Sequence, residues 1–531
     1  MHDREHPRGG WGCRGYAASS VPDRFFITTP IYYVNADPHV GHAYTTIMAD
    51  VIARHHRQRG EEVFFLTGTD EHGAKIARAA EEAGRTPAEH ADHLSARFRE
   101  MARVLGAGND FFIRTTDEPH KAVVQALIVR MHDNGDIYKG AYGGWYCTAC
   151  EAFYNEGDLA EAHTCPTHGR EVEWIEEENW FFRLSAYRDR LLRHYDAMPA
   201  FVRPRSRMNE ARRMVEDGLD DLSMSRAQVE WGVTVPWDPA HTVYVWVDAL
   251  FNYYTALTYA QPGTDLVDRL WPPRLQLMAK DILRFHAVIW PALLMSADLA
   301  LPEGLFVHGY ILKGGERLSK TTGNIVDPFP YIARYGLDAL RYYLCREIRF
   351  GEDGTFTDEG FHQRYTSELA NDFGNLVSRT TKMIERYRGG AVPTDPGGDA
   401  DLAAESVTTR DQVVRHFDHD DVTGALDAAW GWVRRLNRLV EEREPWALAK
   451  DDARAADLDQ ALFSLASGLR IAAILLWPVL PGSCAQVLVA LGEPPDAVSL
   501  DRAAWDAGTP AARVTPPDPL FPRIDRAEVT P

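Results

Sequence analysis

A pair of histidines, His39 and His42, flanks Gly41 within the segment PHVGH of residues 38–42. The segment follows a predicted buried strand and precedes a predicted helix, where free backbone N–H groups and the helix dipole favour a bound phosphate. Two imidazoles there could donate hydrogen bonds to phosphate oxygens, and Gly41 would let a nucleotide approach the backbone. The spacing alone is also compatible with two incidental histidines at the start of a helix.

A lysine between glycines occurs far downstream. Lys320 lies in the segment RLSKT of residues 317–321, with Gly314 and Gly315 before it and Gly323 after it. Glycines on both sides of a lysine predict a mobile loop that can place an ammonium group on a polyphosphate. Phosphoryl and adenylyl transfer depend mainly on such positioning and charge stabilisation. Taken alone, the segment is as readily a solvated basic turn.

Four soft ligands are spaced as they would be around one metal ion. Cys147 and Cys150 form one close pair, and after 14 residues Cys165 and His168 form a second. Three thiolates and one imidazole fit a single tetrahedral Zn²⁺ with no open position, which makes the predicted site structural. The alternative is a chance grouping of reduced thiols. We interpret the neighbouring His163 as an ordinary surface residue.

A strand–helix–strand unit should position the histidine pair. Residues 25–29 and 63–67 have the composition of buried strands, and the residues between them, 42–59, have a helical pattern. The two strands of such a βαβ unit are parallel. Asp70 follows the second strand, at the carboxyl end where open α/β sheets bind ligands. The composition of a buried strand returns at residues 242–246 and 275–278.

The fold class is therefore α/β, with a Rossmann-like parallel-sheet domain that is split by a zinc-binding insertion and followed by an all-α helical bundle. Residues 369–386, 424–442 and 457–476 show the 3.6-residue apolar spacing of bundle helices. The predicted division is a disordered extension (1–22), the first half of the catalytic domain (23–134), the insertion (135–238), the second half (239–305), the region of the lysine loop (306–365) and the helical domain (366–531).

Composition narrows the setting. Within this sequence no run of about 18 apolar residues occurs, so no membrane span is predicted. Three of the six cysteines fall in the metal pattern, which indicates a reducing, cytoplasmic compartment, and Cys13, Cys345 and Cys484 are interpreted as ordinary thiols. The net charge of −20 does not exclude an RNA-binding protein, because a specific RNA binder needs only a local basic face.

The histidine and lysine segments together resemble the "HIGH" and "KMSKS" elements of class I aminoacyl-tRNA synthetases. Their order, their separation and the position of the first after the opening strand all match. This chain departs from those patterns at Val40, Arg317, Leu318 and Thr321, and an arginine at position 317 keeps the charge of lysine without its geometry.

Four further segments are similar to methionyl-tRNA synthetases: TTPIYYVN at 28–35, GTDEHG at 68–73, YVWVDA at 244–249 and KDILRFH at 280–286. The resemblance covers about residues 23–525. It implies ATP-dependent activation of L-methionine and transfer to the 3′ end of tRNA(Met), including initiator tRNA, with Mg²⁺ accompanying ATP. His39, His42 and Lys320 would then stabilise the transition state.

The resemblance also implies the binding residues. ATP would meet His39, Gly41, His42, Lys280, Asp281, Arg317, Ser319 and Lys320, although Ala279 stands where the family usually has glycine. Methionine would lie in a slot formed by Ile31, Tyr33, Asp70, Trp246, Ala249, Tyr253 and His286, with Asp70 on the ammonium group. A mostly apolar, aromatic slot suits a polarizable thioether. Core packing is the alternative role of Trp246 and Tyr253.

The helical end contains the RNA-binding candidates. Asn375 and Arg379 lie at positions i and i+4 of a predicted helix, and Trp446 follows a basic stretch that ends at Arg443. Stacking on aromatic rings and hydrogen bonds to base edges read single-stranded loops. Asn375, Arg379 and Trp446 resemble the family's readers of the CAU anticodon. The alternative is that Trp446 packs locally and that the arginines form a solvated face. A second basic stretch in the insertion either meets the acceptor end of the tRNA or forms a solvated face, and it contains Arg203, Arg205, Arg207, Arg212 and Arg213.

Two other functions fit parts of the pattern. Another class I specificity is possible, but branched-chain enzymes need a larger editing insertion, and cysteinyl enzymes place a zinc-binding cysteine where Thr29-Pro30 stands here. A noncatalytic tRNA-binding relative would not need His39, His42, Asp70 and Lys320. The chain ends soon after the bundle, so we expect a monomer.

Overall fold

The computed structural model describes residues 23–147, 152–154, 156–160, 163–166, 169–227, 229–318, 324–397, 399–509 and 512–524. The predictions for the extension 1–22, for Cys150 and His168, and for Ser319 and Lys320 lie outside these residues. The predicted α/β core and helical end are both confirmed.

The strands among the described residues are β1 (Arg24–Thr28), β2 (Tyr32–Tyr33), β3 (Glu62–Asp70), β4 (Phe111–Arg114), β5 (Ile137–Cys147), β6 (Ala152–Tyr154), β7 (Glu173–Phe182), β8 (Val202–Arg203), β9 (Leu222–Ser223), β10 (Ser225–Arg226), β11 (Thr242–Val243), β12 (Leu275–Ala279), β13 (Leu305–His308), β14 (Ile311–Lys313), β15 (Glu316–Arg317) and β16 (Gly354–Thr355).

The α-helices are α1 (Val40–Gln58), α2 (Ala74–Glu82), α3 (Pro87–Val104), α4 (Glu118–Asp133), α5 (Arg188–Ala197), α6 (Arg205–Glu216), α7 (Val245–Tyr259), α8 (Val267–Leu270), α9 (Trp290–Ser296), α10 (Phe329–Tyr335), α11 (Leu337–Glu347), α12 (Asp358–Arg364), α13 (Asn375–Arg388), α14 (Ala400–Asp418), α15 (Val422–Arg443), α16 (Pro445–Leu448), α17 (Ala455–Leu476) and α18 (Pro481–Ala490). Two π-helical stretches, Phe285–Ile289 and Tyr365–Gly374, precede α9 and α13.

A parallel sheet forms the core of the α/β half, with strand order β2-β3-β1-β12-β13-β8. β4 also pairs in parallel with β3, from Phe111 opposite Leu66 to Arg114 opposite Thr69. The βαβ unit of β1, α1 and β3 is confirmed, and β1 and β3 pair in parallel from Arg24 opposite Glu62 to Thr28 opposite Leu66. Four of the five residues of β1 are buried, because helices cover both faces of a sheet of this kind. The carboxyl ends of the central strands therefore meet at one edge.

The strand predicted at residues 242–246 is wrong in its second half. Only Thr242 and Val243 pair, antiparallel to β10, and α7 begins at Val245. Nearly every residue of α7 from Val245 to Leu257 is buried. A helix that is buried on all sides has only a weak amphipathic period, so its apolar first turn cannot be distinguished from a buried strand by composition.

The insertion extends from the sheet as a long antiparallel hairpin. β5 and β7 pair over ten positions, from Ile137 opposite Phe182 to Tyr146 opposite Glu173, and β6 and β9 complete a four-stranded sheet. The end of this hairpin lies next to the metal pattern, since Cys147 is the last residue of β5.

The helical end packs directly against α1. Buried residues of α1, α11, α15 and α17 belong to one continuous apolar cluster. At the end of α1, the Gln58 side-chain amide donates to the carbonyls of Ile474 and Val498, at 2.8 Å each. The predicted helices at 369–386, 424–442 and 457–476 are confirmed as parts of α13 and its preceding π-helical turns, α15 and α17.

Arg341, on α11, is a fully buried cation at the centre of this junction. Its guanidinium donates to the Asp50 carboxylate on α1 at 2.7 Å, to the Leu105 carbonyl at 3.1 Å and to the carbonyls of Pro478 and Val479 at 2.8 and 3.0 Å. A buried charge is tolerated only when such partners satisfy it. One side chain thus joins α1 to the turn between α17 and α18.

A single segment in the described part of the chain, Asp452–Leu476, has the length and hydropathy of a membrane span, and 89% of its apolar window is buried inside the protein. The core helix of a folded domain has the same properties. Cys345 and Cys484 are also buried, as expected of packing residues.

Candidate active site and RNA-binding surface

The histidine pair forms the N-terminal cap of α1. The Nδ1 atom of His39 accepts a hydrogen bond from the Gly41 backbone N–H, and the Nδ1 atom of His42 accepts one from the His39 N–H, each at 3.1 Å. The two rings stack with centroids 3.9 Å apart. Because each Nδ1 is an acceptor, the ring proton of each neutral imidazole is on Nε2, so both rings offer an N–H donor.

Gly41 is required by this cap. A Cβ atom at position 41 would lie 2.9 Å from Cε1 and 3.0 Å from Nδ1 of His39. Any side chain would therefore push the imidazole away from the helix start. From the sequence, Gly41 was expected only to let a nucleotide approach the backbone.

The lysine segment begins from a tight hairpin next to the sheet. β14 and β15 are joined by Gly314 and Gly315, which have φ angles of 64° and 82°. Two successive positive φ angles are typical of a type I′ turn and favour glycine. Arg317 pairs with Leu312 in this hairpin.

The chain just beyond the lysine segment is hydrogen-bonded to the start of α1. The Val326 carbonyl accepts a hydrogen bond from the Val40 backbone N–H at 3.0 Å. The Asn324 side-chain amide donates a hydrogen bond to the Lys313 carbonyl of β14 at 3.1 Å. The residues just beyond the lysine segment, Asn324 and Val326, are therefore joined to β14 and to the start of α1. This connection supports the proximity that the resemblance requires.

Sequence analysis missed His308, a third histidine near the start of α1. The Thr45 hydroxyl donates to its Nε2 at 2.9 Å, and its Nδ1 donates to the Gly309 carbonyl at 2.8 Å. Burial lowers the pKa of His308 below its usual value, although the hydrogen bond to the Gly309 carbonyl and the charge of Asp281 oppose that shift. In the sequence, His308 could have been identified as a candidate from its position at the end of a buried strand.

Lys280 and Asp281 lie in a short turn directly after β12. The Lys280 ammonium bonds both oxygens of Asp353, at 2.7 and 2.9 Å, and lies 4.3 Å from the centre of the Tyr310 ring. Asp281 is exposed. Lys280, one of the predicted ATP-binding residues, is thus engaged by a protein carboxylate.

The predicted methionine residues are close to one another. Tyr33 pairs with Asp70 across β2 and β3, and its ring meets Trp246 edge-on at 6.1 Å. The Trp246 ring stacks on Phe285 at 3.7 Å. Ile31 is half-buried against the same apolar cluster, and Ala249 is buried on α7, between Trp246 and Tyr253.

Tyr253 and His286 form the polar part of this group. The Tyr253 hydroxyl lies 2.8 Å from Nε2 of His286, and Nδ1 of His286 lies 3.0 Å from the Ile282 carbonyl. Burial lowers the pKa of His286 to about 4, so the ring is neutral at pH 7 and Nε2 accepts the tyrosine proton. Burial chiefly, and in part the charge of Asp70, raise the pKa of Tyr253 well above its usual value.

A buried network that sequence analysis did not predict lies beside this group. The Asp248 carboxylate accepts from Nδ1 of His72 at 2.7 Å and from Nε2 of His120 at 2.8 Å. Burial would raise the pKa of Asp248, but the two histidines outweigh it and lower that pKa to about 2. His72 and Asp248 fall within segments that resemble the family, and those segments were the available signal.

The metal pattern is described only in part. Cys147 and Cys165 are both buried in one small cluster with Val172. The Cys165 sulfur lies 3.6 Å from the Tyr154 hydroxyl. Across the residues that can be described, no group of three metal-ligating side chains occurs, since Cys150 and His168 lie outside them. His163 is exposed, as predicted.

Arg379 and Trp446 are neighbours on the helical end. The Arg379 guanidinium lies 5.7 Å from the centre of the Trp446 ring and pairs with Glu441 at 2.7 Å. Asn375 is exposed one turn earlier on α13. The three predicted anticodon readers therefore share one surface, and the exposed Arg434 and Arg438 are on α15, the helix that also carries Glu441.

The arginines of the insertion are mostly neutralised. Arg203 pairs with Asp420, Arg207 with Glu210, and Arg212 with Asp196 and Glu216. This pairing favours a solvated face over an RNA-binding one.

Comparison with known proteins gives a consistent result. The family described as "tRNA synthetases class I (M)" matches residues 25–381. The methionine–tRNA ligase of Thermotoga maritima is 44% identical over 94% of this chain and 80% of its own length, and that of Streptomyces coelicolor is 43% identical over 94% of this chain and 97% of its own length. The Mycobacterium tuberculosis methionyl-tRNA synthetase in complex with methionyl-adenylate superposes with a TM-score of 0.90 at 42% identity, covering 94% of this chain and 100% of that chain. The chain belongs to the methionyl-tRNA synthetases, a family of class I aminoacyl-tRNA synthetases.

Proposed function

We propose that this protein activates L-methionine with ATP and transfers it to the 3′ end of tRNA(Met), releasing diphosphate and AMP. One observation carries the proposal. The Val40–Val326 hydrogen bond joins the chain beyond the lysine segment to the start of α1, at the edge of the sheet where Asp70 ends β3, and this contact supports the proposal. Relatives of this chain are named methionine–tRNA ligase, and one solved neighbour contains methionyl-adenylate.

In the first step a methionine carboxylate oxygen attacks the α-phosphorus of ATP. The bond from that phosphorus to the diphosphate oxygen breaks, and methionyl-adenylate forms. The Nε2–H groups of His39 and His42 donate to the phosphate oxygens, and the Lys320 ammonium offsets the charge of the departing diphosphate. Mg²⁺ enters as part of the substrate ATP. The catalysis is positional and electrostatic.

In the second step a hydroxyl of the terminal tRNA ribose attacks the carbonyl carbon of the adenylate. The bond from that carbon to the phosphate oxygen breaks, and AMP leaves. No protein nucleophile is needed, so the side chains bind and orient the reactants throughout.

Methionine is selected by a charged end and a neutral aromatic slot. The Asp70 carboxylate, 2% exposed, binds the ammonium group. Tyr33, Trp246 and Tyr253 surround the thioether, which packs favourably against ring edges. His286 stays neutral and fixes Tyr253 by its hydrogen bond, so this end of the slot carries no charge that would favour a polar side chain.

ATP–diphosphate exchange with each amino acid in turn tests the function. Exchange should depend on methionine and proceed without tRNA. A noncatalytic tRNA-binding relative predicts no exchange, and another class I specificity predicts exchange with a different amino acid. Either result would overturn the proposal.

We further propose one structural Zn²⁺, held by Cys147, Cys150, Cys165 and His168. The burial of Cys147 and Cys165 in one cluster supports this ligand set, because two thiols from separate segments already lie together. Zn²⁺ would bind these four protein ligands and so join the end of β5, at Cys147, to the chain around Cys165.

Changing Cys150 to serine is expected to remove the metal. Elemental analysis should find about one zinc per wild-type chain and none in Cys150→Ser. The matched control is Cys345→Ser, a buried thiol outside the pattern, which should keep its zinc. Equal zinc contents in Cys150→Ser and the wild type would contradict the site.

We propose that Asn375, Arg379 and Trp446 read the anticodon. Trp446→Ala should lower kcat/KM for tRNA aminoacylation by about 5- to 150-fold, since stacking of one base contributes about 1–3 kcal/mol. Methionine-dependent exchange without tRNA should be unchanged. Trp505→Ala is the control, because Trp505 belongs to the same helical end but meets Phe463. Equal losses in the two variants would contradict the assignment.

We infer a monomer that works in the cytoplasm and does not enter a membrane. The large apolar side chains exposed on the described surface, Trp174, Met198, Val407 and Val489, come from separate elements or loops. Large contiguous apolar patches mark association surfaces, whereas single exposed residues do not.

A further inference from the structure

Asp248 is a buried carboxylate on the helix that carries Trp246, Ala249 and Tyr253 of the proposed methionine slot. It is on α7, two residues after Trp246, immediately before Ala249 and five residues before Tyr253. Its carboxylate is fully buried and bonds to His72, which is two residues after Asp70. The carboxylate therefore links the element that carries the aromatic wall to the loop that carries the ammonium-binding group.

The other residues of this loop are tied elsewhere. The buried Glu71 accepts two hydrogen bonds from Arg114 of β4, at 2.7 and 2.9 Å, and one from Thr69 at 2.7 Å. The Gly73 backbone N–H donates to the Trp231 carbonyl at 3.0 Å. These contacts fix the loop to β4 and to the end of the insertion. The His72–Asp248 bond fixes it to α7.

A second donor to Asp248 comes from another helix. Nε2 of His120, on α4, lies 2.8 Å from the carboxylate oxygen of Asp248 that does not bond to His72. Nδ1 of His120 lies 2.7 Å from the hydroxyl of Thr255 on α7. A buried carboxylate is stable only when donors satisfy it, and both donors here come from different elements. The bonds from His72 and His120 to Asp248 therefore fix the distance between α7 and the loop that follows Asp70. Apolar packing alone would fix that distance less precisely.

We propose that Asp248 is a positioning residue for methionine: through His72 it holds Asp70 at the distance from Trp246 and Tyr253 that lets one methionine fill both ends of the slot. The proposal rests on the proposed function. ATP meets other elements, so its binding does not depend on this distance.

Asp248→Asn tests the proposal with little change of volume. An asparagine amide nitrogen cannot accept a hydrogen bond, so one imidazole loses its acceptor. The KM for methionine in diphosphate exchange should rise by up to about a hundredfold, while the KM for ATP stays near the wild-type value. A KM for methionine that does not change, or equal rises for both substrates, would overturn the proposal. Asp136→Asn is the control, because Asp136 accepts from Tyr187 and Ser296.

A pair of His72 variants gives an independent answer if Asp248→Asn does not fold. His72→Asn keeps an N–H donor near the position of Nδ1, and His72→Ala removes it. The KM for methionine should rise in His72→Ala and return close to the wild-type value in His72→Asn. Equal KM values in the two variants would overturn the proposal. Absence of methionine-dependent exchange in the wild type would instead reject the proposed function.

Discussion

Replacing His42 with asparagine should lower kcat for methionine-dependent ATP–diphosphate exchange by about a hundred- to a thousandfold, the range found when one preorganised donor to a developing charge is removed. The asparagine side-chain oxygen can still accept the hydrogen bond from the His39 N–H, which His42 Nδ1 accepts at 3.1 Å. The cap of α1 is thereby kept, while the Nε2–H donor is lost. Initial rates at saturating methionine and ATP measure the effect.

His42→Gln is the complementary control. Its amide nitrogen reaches the position of Nε2 and keeps a donor toward the phosphate, but it gives up the bond to the His39 N–H. We expect His42→Gln to retain more activity than His42→Asn. Its melting temperature should be lower than that of His42→Asn, which keeps the cap of α1. If the order of activities were reversed, the histidine would act through the helix cap and not through its donor.

Asp70→Asn should raise the dissociation constant of methionine by at least about thirtyfold, because removing one partner of a buried charge pair costs about 2–5 kcal/mol. Asp70 is 2% exposed, so water cannot replace the lost carboxylate charge on the substrate ammonium. Titration calorimetry with methionine measures the change, and ATP binding should be unaffected.

Asp37→Asn makes the same chemical change at an exposed site near the histidine pair. Asp37 pairs with Arg97 at 3.0 Å, and its side chain is 64% exposed. Exposed ion pairs contribute little. Methionine affinity in Asp37→Asn should equal that of the wild type, and a matching loss in both variants would contradict the role of Asp70.

Sequence reasoning succeeded where a pattern is local. The βαβ unit of β1, α1 and β3 follows from apolar periods. It failed at residues 242–246, where a helix buried on all sides resembles a strand. The pattern at residues 38–42 suggested phosphate chemistry, but it did not predict that both histidines also cap α1.

Long-range pairings could not be predicted. His72 and Asp248 are 176 positions apart, and Lys280 and Asp353 are 73 positions apart. Such partners are set by the packing of elements, which no local spacing encodes. The Lys280–Asp353 bond bears on the predicted ATP site, since the two contacts to Asp353 leave the Lys280 ammonium one further N–H donor for a phosphate.

Arg341 has a consequence for dissecting the enzyme. Its guanidinium is shared between Asp50, on the helix that begins at the histidine cap, and the carbonyls of Pro478 and Val479 near the other end of the chain. A fragment that stopped at residue 365 would keep the ion pair but strip away those carbonyls, together with the partners of Gln58 and much of the apolar cover of α1. The α/β half is therefore not a detachable module, because truncation that removes the proposed anticodon-binding residues also removes the packing that supports α1 and its two capping histidines.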